Sequence, residues 1–136
     1  MERIDPKTAA RVWERVRAPQ TPSLDANRLL PFIREEWLDA LICKHLGLNT
    51  EHILENTACL KGIYRILTGG LPRMTPPQWK QEKTPILLRQ SFDRRMGLLT
   101  QYEALQADPR FGPVFSRLAA ISLAQACKVL ESLGHP

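Results

Sequence analysis

Apolar side chains recur at intervals of three and four residues along most of the chain, the spacing that lines one face of an α-helix. Alternating β-branched runs and hairpin-type turn dipeptides are absent, so no strand is predicted. Asp5-Pro6 combines an N-cap with a proline at the first helical position, and Ala9, Val12, Trp13 and Val16 follow at helical spacing to about Arg17. This arm carries too little apolar surface to hold a helix alone, so it is expected to dock on the main body or on a partner subunit. Ala18 to Ser23, with Pro19 and Pro22, reads as an extended linker.

A longer helix is predicted from about Asn27 or Leu30 to Leu46, stopped by Gly47, with Leu30, Ile33, Trp37, Ala40 and Leu41 on its inner stripe. The next is capped by Asn49 or Thr50 and runs to Thr68, with Ile53, Leu60, Ile63, Tyr64 and Leu67 inward and Gly69-Gly70 as its stop. The connection between the two is so short that they must pack antiparallel. Residues 69–83, with Pro72, Pro76, Pro77 and Trp79, are long enough to carry the chain across to a second hairpin. Thr84-Pro85 repeats the cap-and-proline start for a helix to about Ala107, with Leu88, Phe92, Met96, Leu99 and Tyr102 inward. Asp108-Pro109 opens the last helix, striped by Phe111, Val114, Phe115, Leu118, Ile121 and Val129 and ending near Gly134. The expected architecture is all-α: a helical arm and linker over 1–28, then an antiparallel four-helix bundle over 29–136, made of two hairpins joined by a crossover.

Composition narrows the class. A chain of 136 residues, 43% hydrophobic and 24% charged, matches one ordinary globular domain and excludes wholesale disorder. No apolar run approaches the roughly 20 residues of a membrane span, and Met1-Glu2-Arg3-Ile4-Asp5 is not a signal segment; a cytoplasmic location without a membrane partner is expected. Cys43, Cys59 and Cys127 are odd in number, far apart and without Cys-x-x-Cys spacing, so they read as reduced core thiols. The formal charge of +5 would suit a polyanion if the cations clustered. Arg11, Arg15 and Arg17, and later Arg89, Arg94 and Arg95, are interrupted by acids, which favours a solvated surface over nucleic-acid binding.

Val12-Trp13-Glu14-Arg15-Val16, Phe32-Ile33-Arg34-Glu35-Glu36-Trp37, Gly62-Ile63-Tyr64-Arg65-Ile66-Leu67-Thr68-Gly69 and Leu118-Ala119-Ala120 together resemble the compact ferritin-like or rubrerythrin-like bundle proteins of bacteria. The resemblance covers most of the chain and implies a ferritin-like four-helix bundle. In that family two irons are held by one Glu from each of two helices and a Glu-x-x-His from each of the other two. Iron takes oxygen and nitrogen donors, and the three-residue spacing puts both on one helical face. Carried onto this chain, the second helix offers Ile53 and Asn56 in place of Glu-x-x-His, and the last offers Ser122 and Gln125. Arg95 stands where the third helix should bring a carboxylate, and only Glu36 on the first helix keeps one. The stretch from Glu36 to Ile53 is also shorter than the family pattern, which sets these two at different heights on antiparallel helices.

A helical wheel places Glu36, Asn56, Arg95, Ser122 and Gln125 within apolar arcs whatever the family. Buried polar groups must find partners or lose roughly 1–3 kcal/mol each. Glu36 and Arg95 are therefore expected to pair, with Asn56, Ser122 and Gln125 completing a vestigial polar layer where relatives bind iron; no metal, cofactor or catalytic residue is expected. The alternative for Arg95 is a rim position snorkelling to water.

Other constellations are weaker. His52 and Glu55 could join Glu51 and Glu36 on one metal ion, but a solvent-facing histidine near a helix start is the simpler reading. His45 suits a helix C-terminus, and His135 lies in the tail. No nucleophile-base pairing or phosphate loop is present, since Gly69-Gly70 follows a helix instead of preceding one. Trp79 reads as a lid over one bundle end. The leading expectation is a bundle without functional di-iron chemistry in a binding, scaffolding or assembly role, as a homodimer using the N-terminal arm. The runner-up is a rubrerythrin-like metal-binding oxidoreductase with other ligands and iron as its cofactor; the third is a basic helical nucleic-acid binder using Arg89 to Arg95.

Overall fold

The computed structural model describes residues 24–134. The expected arm, the Ala18–Ser23 linker and His135 lie outside them. Four helices follow in order: α1 Ala26–His45, α2 Glu51–Thr68, α3 Thr84–Leu105 and α4 Gly112–Ser132, with no strand among the described residues.

Local chemistry sets their ends. The Asp25 carboxylate accepts from the Arg28 amide at 3.0 Å, so α1 begins slightly earlier than its apolar pattern suggests. Asn49 accepts from the Glu51 amide at 2.8 Å, and Gly69 ends α2 in the left-handed conformation at φ 79°. Thr84 is the first residue of α3 and not its cap, which is Lys83. The start expected at Asp108-Pro109 is instead a tight turn: the Asp108 carboxylate accepts from the Arg110 and Phe111 amides, and α4 begins at Gly112 with Pro113 in its first turn.

α1 packs on α2 and α3, and α4 on α3 and α2, leaving α1/α4 and α2/α3 as diagonals. Along α1, Phe32 meets Tyr102 edge-on, Glu36 meets Arg95, and Asp39 and Cys43 meet Ser91, so α3 runs opposite to α1. α2, hairpinned to α1, is then parallel to α3, and residues 69–83 must travel the length of the bundle. Extended chain of that length reaches on the order of 50 Å, against roughly 27 Å for α2. On this path Met74 packs on the core and Trp79 meets His45 edge-on at 5.2 Å.

The inner stripes differ in detail from the periodic pattern. Leu29, Phe32, Ile33, Glu36, Asp39, Ala40, Ile42 and Cys43 are buried on α1, while Leu30, Trp37 and Leu41 sit on its flanks. On α3 the buried face is Leu87, Leu88, Ser91, Arg95, Leu98, Leu99, Tyr102 and Leu105; Phe92 is half-buried and Met96 exposed. Both stripes turn by about one residue because they centre on charged side chains that an apolar count passes over. On α4, Val114 and Ile121 are likewise flanking. Of the cysteines, Cys43 is buried, Cys59 half-buried and Cys127 exposed, so Cys127 is not a core thiol. By length and composition alone α4 could cross a membrane, contrary to the expectation for every apolar run; its buried face, including Phe115, Leu118, Ala119, Ala126 and Val129, is turned into the bundle.

The apolar core is not continuous. Its larger part gathers Leu29, Ile33, Leu60, Tyr102, Phe115 and Leu118 around the α3–α4 turn end. Full burial of such side chains contributes roughly 1.5–3 kcal/mol each. A smaller cluster of Ala40, Cys43 and Ile53, with Leu48 against it, lies at the α1–α2 turn end. A layer of polar side chains lies between.

Candidate functional site

Arg95 is the centre of that layer, fully buried on α3. Its Nη1 donates to Glu36 Oε1 at 2.6 Å and Oε2 at 3.3 Å. Its Nε lies 2.8 Å from Asp39 Oδ2, close enough for a strong charge contact but without the alignment of a hydrogen bond. Glu36 and Asp39 are one turn apart on α1, both fully buried. Arg94 closes the network from the side, its Nη1 donating to Asp39 Oδ1 at 3.1 Å and its Nε to Glu35 Oε2 at 3.0 Å. Ser91, one turn before Arg95, donates to Asp39 Oδ1 at 2.7 Å and lies 3.5 Å from the Cys43 thiol.

Two buried carboxylates thus face two guanidiniums, and the layer is charge-balanced. An isolated charge could not stay there, because its desolvation cost is several kcal/mol. Burial pushes the Glu36 carboxyl up from its ordinary value, against the opposing pull of Arg95 and Asn56. Burial also works against the charge on Arg95, but Glu36 and Asp39 outweigh it and hold the guanidinium above its ordinary value. Tyr102, below the layer, is pushed far up by burial and then by the charge of Glu36.

On the opposite side Asn56 donates to Glu36 Oε1 at 3.3 Å and to Ser122 Oγ at 3.5 Å. The structure therefore joins Glu36, Asn56, Arg95 and Ser122 in one network. Gln125 is buried one turn beyond Ser122, but its Oε1 has no hydrogen-bond partner among the described residues; neither do Asn56 Oδ1, Arg95 Nη2 and the Tyr102 hydroxyl. Arg95 does not snorkel. Ile53 packs with Ala40 and Cys43, a turn away from Glu36, as the short spacing between them requires.

Sequence reasoning passed over Asp39 and Ser91, and read Arg94 only as one of a dispersed basic group. For Asp39 and Ser91 the signal was present: Asp39 follows Glu36 by three positions and Ser91 precedes Arg95 by four, placing each on the same helical face as its neighbour.

The residues present do not suit a di-iron group. The two inner carboxylates are already committed to guanidiniums, and a fixed cation occupies the centre. Among the described residues no group of three His, Cys, Asp or Glu side chains is gathered for a metal ion. His52 lies 3.9 Å from Glu55, which Arg117 of α4 also grips; both belong to the outer surface, away from Glu36. The arginines from Arg89 to Arg95 do not form one open basic face: Arg95 is buried, Arg94 is held on Glu35 and Asp39, and Arg89 lies 3.6 Å from Asp93.

Compared with models of known families, with curated proteins and with solved structures, the chain matches none.

Proposed function

We propose that the chain is a ferritin-like bundle in which an arginine-centred ion-pair layer stands where relatives hold iron, and that it serves a non-enzymatic binding, scaffolding or assembly role. One observation carries this reading: the Arg95 guanidinium, fully buried, lies 2.6 Å from Glu36 and 2.8 Å from Asp39. A guanidinium fixed between the inner acids supplies the positive charge a metal would, and it cannot be deprotonated to make room for one. The order of helices supports the reading as well, since two antiparallel hairpins linked by a long diagonal connection is one of the ways such bundles are built. The partner we favour is a second copy of the chain, with the N-terminal arm contributing to the contact.

Metal analysis of the full chain, produced in iron-supplemented medium and purified without chelator, tests the proposal. Iron far below one atom per chain, with no near-ultraviolet absorbance of an oxo-bridged pair, is the expected result. About two irons per chain, the stoichiometry of the family's centre, would overturn the proposal in favour of the oxidoreductase reading.

A further inference from the structure

The outer face of α2 carries a feature that the bundle itself does not use. Leu54, Ala58, Gly62 and Ile66 follow one another at four-residue spacing and form a single ridge turned to solvent; Leu54 is 55% exposed and Ile66 63%. The ridge is bulky at both ends and small in the middle.

Gly62 is the telling residue. A glycine inside a helix weakens it by roughly 0.5–1 kcal/mol relative to alanine, and a side chain placed here would meet nothing within 4 Å. Among the described residues nothing in the chain's own packing requires it. Gly97 on α3 is equally open, but its ridge neighbours Asp93 and Gln101 are polar and it has no apolar stripe around it. At Gly62 the missing side chain lies at the waist of an apolar ridge, where a second backbone could approach closely.

Charge indicates which backbone. The half of α2 before Ala58 carries the exposed Glu51, with Glu55 already held by Arg117 of the same chain, and the half after it carries the exposed Lys61 and Arg65. A second α2 laid antiparallel across the waist brings each acidic half beside a basic half and opposes the two helix dipoles. The ridge is self-complementary under the same operation: Leu54 comes to Ile66 of the other copy and Ala58 to its Gly62. This is the property that an isologous two-fold contact needs. We infer that the α2 face is a homodimer interface in which two copies cross antiparallel at Ala58 and Gly62. The interface rests on the proposed self-association but not on the ferritin-like part of that reading, so the iron measurement neither supports nor weakens it.

Sedimentation velocity of the full chain from low micromolar to hundreds of micromolar tests the interface. A species of twice 15.5 kDa is expected. Gly62→Gln should weaken association at least about tenfold while the helical circular dichroism is retained, because the position is open within one chain. Arg65→Glu and Glu51→Lys should each weaken it, and mixing these two variants should restore a dimer, since the altered halves then face opposite charges. A monomer at every concentration overturns the inference. So does a dimer indifferent to Gly62→Gln; if that dimer is lost on Trp13→Glu, the contact belongs to the N-terminal arm instead.

Discussion

Cys43 is fully buried at the edge of the polar layer, with its thiol beside the Ser91 hydroxyl and near the Asp39 carboxylate. Burial first, and then the negative charge of Asp39, push that thiol up to about 11 from an ordinary 9.0. Above about pH 9 the unfolded chain releases this proton while the native chain keeps it, so the unfolded state binds fewer protons and stability falls as pH rises. The loss runs from about pH 9 to about pH 11, amounts to roughly 2–3 kcal/mol, and is reinforced by Tyr102, which shifts in the same direction. Urea midpoints measured across that window should therefore decline, and less steeply in Cys43→Ala. An identical decline in the variant would show that the thiol does not sense its burial.

Among the elements, the α3–α4 turn is closely packed on its own backbone. Asp108 collects the amides of Arg110 and Phe111 through its side chain, and its carbonyl accepts from Gly112 at 2.9 Å. A Cβ at Gly112 would run into the backbone carbonyl of Gln106, which cannot rotate away as a side-chain tip could. Gly112→Ala should thus destabilise the protein by roughly 1–3 kcal/mol, the usual range for overpacking. Gly97→Ala should do the reverse: its Cβ would enter open space, and a helix interior gains roughly 0.5–1 kcal/mol from the exchange. Thermal melts followed by circular dichroism separate the two. If both variants melt higher than the parent, the turn is looser than its close approach implies. The crossover is held differently, by Trp79 against His45 and Met74 against the core, so it follows the bundle instead of defining it.

For the molecule as a whole, the decisive feature is a core cut into two apolar parts by a charge-balanced layer. Such a layer is weak evidence for added stability, because burying the ions costs about as much as their attraction returns. Its members are nonetheless interdependent. Arg95→Met should cost roughly 3–5 kcal/mol, a large share of a typical domain's stability, because Glu36 and Asp39 are left without their inner cation. Replacing Glu36, Asp39, Asn56 and Arg95 together with apolar residues should be far milder, neutral or even stabilising. Denaturant titrations of the two variants check this; an Arg95→Met chain as stable as the parent would mean that the layer relaxes or admits water. The hairpins, the long connection and the all-helical class were legible in the sequence, because helical periodicity, proline starts and glycine stops are local properties of the chain. So was the presence of Glu36, Asn56, Arg95 and Ser122 on inward arcs. What the sequence could not decide was which polar group meets which. Asp39, Ser91 and Arg94 enter the layer only because α1 and α3 run side by side and opposed, with the α1 positions from 36 to 43 set against 91 to 95. That register is a relation between distant segments, fixed when the bundle closes, and the energy of a buried charge depends on the neighbour it brings.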